Sequence, residues 1–167
     1  NSCSRELYHK IRGDKRDKEK IPPHQGRWKE IGTKIGEIIQ RDLLFIDKHY
    51  EHVTGIEPKF TPRFITDCTP NQFGIGYFPA WEIFAKKQMY IKHQGFNIPI
   101  QGQPDGILYY GDRKIGLEIK SKQTTSSKTG YFSMRGPEES HVKQVQTYSI
   151  LYGIDEFIIL YVNAAKH

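Results

Sequence analysis

Asp105, Glu118 and Lys120 are the residues whose types and spacing point to chemistry. They lie in Gly102-Gln-Pro-Asp105-Gly-Ile-Leu and, after a short turn, Gly116-Leu-Glu118-Ile-Lys120-Ser-Lys. Side chains alternate along a strand, so Ile115, Leu117 and Ile119 point one way and Glu118 and Lys120 the other. Gly111-Asp112 reads as the hairpin turn that folds the first segment back beside the second. Asp105, at a bend between Pro104 and Gly106, can then approach Glu118. Two acids that close resist ionisation unless a cation lies between them. Magnesium or manganese, which prefer oxygen ligands, would take both carboxylates, the neighbouring carbonyl of Ile119 and water. Such an ion suits phosphodiester hydrolysis, and Lys120 is placed to orient water or neutralise transition-state charge. The competing reading is an ordinary cross-strand charge pair.

A second group lies downstream. His141, Gln144 and Tyr148 fall at i, i+3 and i+7 of a predicted helix opened by Pro137 and stopped by Gly153. That stripe can hold a water or a phosphate oxygen. A solvated helix face with a half-buried tyrosine gives the same pattern. The inner face of this helix is expected at Val142, Val145, Ser149 and Tyr152.

The remaining elements must position these groups. A first helix is predicted over about 26–47, with Trp28, Ile31, Ile35, Ile38 and Phe45 as its apolar stripe. Residues 57–78, broken by prolines and glycines, read as loops and short strands. A strand is expected from Trp81 to Lys92, a turn at Gln94-Gly95, the hairpin over 97–120, and a buried central strand at Phe157 to Val162. The polar segment about 121–136 reads as a flap, and 10–26 as a basic connector. Together these predict a single α/β domain, an α/β/α sandwich around a mixed sheet.

Composition narrows the partners. The 167 residues carry a formal charge of +6, which favours an anionic partner, nucleic acid before an acidic membrane surface. Lys120, Lys122, Lys128, Arg135, His141 and Lys143 gather near the proposed site, with Tyr131, Phe132 and Tyr148 available for stacking. Nothing resembles a groove-reading motif, so single- or double-stranded DNA bound largely without regard to sequence is expected. The longest apolar run is too short to span a bilayer, no secretory signal is visible, and two cysteines suggest no disulfide scaffold. An intracellular, cytoplasmic protein is the default expectation.

The order of these motifs resembles the PD-(D/E)XK nucleases, specifically their RecB-like branch, which includes phage recombination exonucleases. The segments that carry the resemblance are GQPDGIL, GLEIKSK and KQVQTYSIL, within residues 100–162. It implies a restriction-endonuclease-like core and a metal-dependent deoxyribonuclease of recombination or repair. An exonuclease is favoured over a structure-selective or single-strand endonuclease, with an inactive DNA-binding module as the rival and a homo-oligomer or recombination partner possible. Asp105 and Glu118 would bind magnesium or manganese, Lys120 would be catalytic, and Gln144 and Tyr148 would line the site. Lys122, Arg135, His141 and Lys143 are expected to meet DNA. The family adds a residue from its first helix in a Gly-x-x-x-(His or Glu) pattern. Gly32-Thr-Lys-Ile-Gly36-Glu37 is the nearest match, so Glu37 is the expected third acid, with Glu30 as fallback. Both also form ordinary i,i+4 pairs, with Lys34 and Arg41. Glu82 is a further candidate, read rather as a strand-edge charge. Some relatives hold an iron–sulfur cluster on four cysteines. Cys3 and Cys68 are too few, so no cluster is expected.

Overall fold

A computed structural model describes residues 8–9, 12–14, 22–65, 78–122 and 132–164. Cys3, Cys68, Lys128, Tyr131, most of the proposed connector and the middle of the proposed flap lie outside the described residues. The fold is mixed α/β. Its sheet has four strands in the order β1 (Thr61–Pro62), β6 (Gly106–Tyr110), β7 (Arg113–Lys122), β8 (Glu156–Asn163). β6 runs antiparallel to β1 and β7, whereas β8 runs parallel to β7. Two-stranded ribbons add β2 (Phe64–Ile65) with β3 (Phe78–Pro79), and β4 (Lys87–His93) with β5 (Phe96–Gly102).

Both expected turns form. Tyr110 pairs with Arg113 across Gly111-Asp112, and His93 pairs with Phe96 across Gln94-Gly95. Gln94 and Gly95 take φ of 48° and 81°, the left-handed pair that a two-residue turn between twisted strands requires. The expected hairpin over 97–120 is two structures. Residues Phe96–Gly102 pair back onto β4, and only β6 and β7 form the hairpin that carries the acids. The bend at Gln103–Asp105 separates them. The expected strand from Trp81 begins instead with a 3₁₀ turn, Glu82–Ala85, and becomes extended at Lys87.

Helix α1 spans Pro23–Thr54, longer than expected at both ends. Proline at its start needs no N–H partner, and Gly55 closes it in the left-handed conformation with its N–H on the Glu51 carbonyl at 2.7 Å. Its buried face is not the expected stripe. Trp28, Ile31, Ile38 and Phe45 are exposed, while Ile39, Leu43 and Ile46 face the sheet residues Leu108, Leu117, Ile158 and Leu160 across an apolar cavity. The helix carries two apolar rows. The second faces inward, and on that side the buried Gln40 donates to the Asp105 carbonyl at 2.9 Å. Gly32 permits a close approach there, since a Cβ would sit 3.1 Å from Ser121 Oγ.

Helix α2 (Glu139–Tyr152) ends at Gly153 in the left-handed conformation, as expected, and starts two residues after Pro137. Its buried residues are Val145, Tyr148 and Leu151, one step round from the expected face. The Tyr152 hydroxyl donates to the Gly102 carbonyl at 2.8 Å, and it also meets the Ala85 carbonyl. α2 thereby gathers β5 and the 3₁₀ turn onto the face of β7 that carries Glu118 and Lys120, while α1 covers the opposite face. β8 is not central among the described strands. It pairs on one side only, with β7, and Leu160 is 37% exposed. Its apolar run is half-buried rather than enclosed, with no fully buried residue.

Ala80, Ile107 and Ile154 form the core cluster, with Tyr152 and Phe157 packed against it. Phe157 lies flat where Gly116 has no side chain, and a Cβ there would come within 2.0 Å of the ring. Replacing Gly116 by alanine is expected to destabilise the fold by about 1–3 kcal/mol, as overpacked cores do. Chemical denaturation should show a lower midpoint at unchanged slope. No helix among the described residues is long and apolar enough to cross a membrane.

Candidate functional site

A cavity of about 360 Å³ opens where the 103–105 bend, β7, α2 and the first half of α1 meet. Asp105, Glu118, Ile119, Lys120, Gln144 and Tyr148 all line it, so the structure brings together the groups that sequence spacing associated. Local structure explains each position. Glu118 and Lys120 share a face of β7 by alternation, Gln144 and Tyr148 share a face of α2 one turn apart, and Asp105 ends the bend before β6.

Glu118 is 2% exposed. Its Oε1 pairs with Lys120 Nζ, and its Oε2 is buried with no hydrogen-bond partner among the described residues. An unmatched buried carboxylate oxygen is costly. Burial, and then the charge of Asp105, push the Glu118 carboxyl up from 4.5 to about 7, against the pull of Lys120 and Gln144. Asp105 is raised for the same leading reason, burial, offset by the Ile119 N–H that donates to its Oδ2 at 2.7 Å and by Lys120. Lys120 Nζ also donates to Gln144 Oε1 at 2.9 Å, and Gln144 Nε2 donates to the Tyr148 hydroxyl at 2.7 Å. Burial pushes Tyr148 up to about 12, so its hydroxyl stays protonated across the working pH range. Gly102 makes room for that ring, since a Cβ would lie 2.7 Å from it.

The donor set fits a hard divalent cation. Two acids close together are both raised, one carboxylate oxygen is buried without a hydrogen-bond partner among the described residues, and Ile119 lines the same polar cavity. Asp105, Glu118 and the Ile119 carbonyl would hold the ion, with water completing the shell. Among the described residues, no three His, Cys, Asp or Glu side chains converge as a ligand group by themselves. Direct side-chain ligation would come from two carboxylates, Asp105 and Glu118.

The first-helix acids are placed elsewhere. Glu37 is exposed and paired with Lys34 at 2.8 Å, and Glu30 is exposed on the same helix. Neither lines the cavity. Helix α1 presents Gly32, Thr33 and Gly36 to it instead. Glu82, read from the sequence as a strand-edge charge, does line it, because the 3₁₀ turn redirects the chain there. Gln40 was missed altogether. The one signal was an amide inside the row of Ile39, Leu43 and Ile46.

The basic residues separate into two groups. Lys122 and Arg135 line a second cavity of about 310 Å³ together with Glu138 and Tyr161, and Lys122 pairs with Glu138. His141 meets the Tyr161 hydroxyl at 2.7 Å, and burial followed by Lys120 and Lys122 lowers its pKa. The same causes disfavour its charged form. Lys143 is exposed, paired with Glu139 at 2.6 Å, and lines neither cavity. Phe132 is 93% exposed.

No protein-family model matches the chain, and no curated protein matches it. A solved structure titled "Crystal structure of SSO0001" is similar at 22% identity and a TM-score of 0.39. The similarity covers 48% of this chain and 36% of that one, so this chain spans about a third of its length.

Proposed function

We propose that this chain is a divalent-metal-dependent DNA nuclease with a restriction-endonuclease-like core of the PD-(D/E)XK type, acting as an exonuclease of recombination or repair. The observation that supports it most is Glu118, buried beside a second acid, with Lys120 on one oxygen and no hydrogen-bond partner on the other among the described residues. When bound, magnesium or manganese supplies Lewis acidity toward the phosphodiester, a water of lowered pKa and support for the leaving oxygen.

The chain's own residues do the remaining work. Asp105 is held by the Ile119 N–H, and Gln40 holds the carbonyl of the same residue, so its carboxylate is preorganised. Lys120, anchored between Glu118 and Gln144, presents its ammonium to the cavity where phosphate charge develops. Gln144 fixes both Lys120 and Tyr148, and Tyr148, which keeps its proton, serves as a donor rather than a base.

The raised Glu118 value carries a sign. Its protonated form is the one the metal-free fold prefers. That contribution is complete below 4.5 and is lost as pH rises through about 7, so the metal-free protein loses stability across that window. Cation binding requires the proton to leave. Manganese affinity is therefore expected to strengthen from pH 6 to pH 8, and calorimetry across that range measures it. An affinity independent of pH would contradict the assignment of Glu118.

End-labelled linear DNA and closed circular DNA, each incubated with magnesium or manganese, test the function. Shortening from the ends with circles intact is the expected result. Nicked circles would replace the exonuclease by an endonuclease. Retained binding without cleavage in either metal would leave only a DNA-binding module.

A further inference from the structure

We infer that Glu82, supplied by the 3₁₀ turn, is the third carboxylate of this site, taking the place of the side chain that α1 does not provide. The inference rests on the reading of the cavity as a cation site. Three features carry it. Helix α1 faces the cavity with Gly32, Thr33 and Gly36, and a Cβ at Gly36 would meet nothing within 4 Å, so room exists where no acid stands. Glu82 lines the same cavity as Asp105 and Glu118. Its backbone also takes an unusual conformation. Glu82 has φ of 46°, a left-handed conformation that a non-glycine residue rarely adopts, and its N–H donates to the Pro104 carbonyl at 2.9 Å.

Gln40 completes the arrangement. Its Nε2 lies 2.9 Å from the Asp105 carbonyl and 3.4 Å from Glu82 Oε1, so one buried amide ties both acids to α1. The bare Oε2 of Glu118 is an independent sign that this cavity is built for a ligand with positive charge. Because three side chains do not converge on one point, Glu82 acts from the rim, through the water shell of the ion rather than by direct ligation. Glu82 is thus a positioning residue for the cation and its water.

Manganese titration of the full chain by calorimetry tests this independently of cleavage. Glu82→Gln, which keeps the shape and can still meet Gln40, is expected to weaken manganese binding about tenfold without lowering the melting temperature. Glu37→Gln is expected to bind within twofold of the parent. Adding Gly36→Glu to Glu82→Gln is expected to restore most of the affinity, since that side chain would enter the same space. Parent-like binding by Glu82→Gln, in a protein that binds manganese and cuts DNA, overturns this inference and leaves the nuclease reading intact. A parent protein that neither binds manganese nor cuts DNA overturns both.

Discussion

Glu118→Gln is expected to lower metal-dependent cleavage on the order of a thousandfold while leaving DNA affinity within about twofold. The same substitution should make the metal-free protein more stable. The two effects share one cause. Glu118 is 2% exposed, and its carboxyl sits at about 7 instead of 4.5, so at pH 8 the fold holds a charge that its surroundings disfavour. At about 1.4 kcal/mol per pH unit, that disfavour amounts to roughly 3 kcal/mol. Glutamine keeps an oxygen for Lys120 and carries no charge. A gain of about 1–3 kcal/mol, or several degrees in melting temperature for a chain of this size, should follow at pH 8 and vanish near pH 5. Single-turnover cleavage and thermal melts at the two pH values measure both arms. A variant that is inactive and also less stable at pH 8 would identify Glu118 as part of a structural ion pair.

Lys120→Ala is the second large effect. Loss of its ammonium is expected to slow cleavage about a hundredfold to a thousandfold, the scale associated with removing one preorganised charge from a transition state. It also takes the cation from Glu118 Oε1 and the donor from Gln144 Oε1. Glu118 should then ionise at higher pH, so the residual activity rises later with pH than in the parent. Arginine is not expected to rescue, because its planar fork cannot occupy the position of a compact ammonium between two acceptors. DNA affinity should fall little, since one phosphate contact changes the salt slope by about one at most. Unchanged single-turnover rates in Lys120→Ala would remove it from the mechanism.

Much of the juxtaposition in this cavity was legible because it is local. Strand alternation puts Glu118 beside Lys120, helical spacing puts Gln144 beside Tyr148, and Gly111-Asp112 closes the hairpin between the two acids. The turn at Gln94-Gly95 and the stop at Gly153 were readable for the same reason, since each is a backbone demand met by one or two residues. What escaped was long range. Gln40 and Glu82 lie 65 and 23 positions before Asp105, and no periodicity relates them to it. The face of α1 was misassigned because Trp28, Ile31, Ile38 and Phe45 keep helical spacing as well as Ile39, Leu43 and Ile46 do. The inward row is the one on the side where Gln40 bonds the Asp105 carbonyl and Gly32 lies close to Ser121, contacts that helical spacing does not encode. Likewise, residues 97–102 pair back onto β4 through the Gln94-Gly95 turn, and the far end of that strand is held by the Tyr152 hydroxyl on the Gly102 carbonyl, 50 positions away.

The most direct test is the anomalous diffraction of crystals soaked in manganese at pH 8. A peak bounded by Asp105, Glu118 and the Ile119 carbonyl is expected, with Lys120 and Gln144 still paired beside it. Manganese found only elsewhere, with Glu118 Oε2 turned to a protein donor, would contradict it.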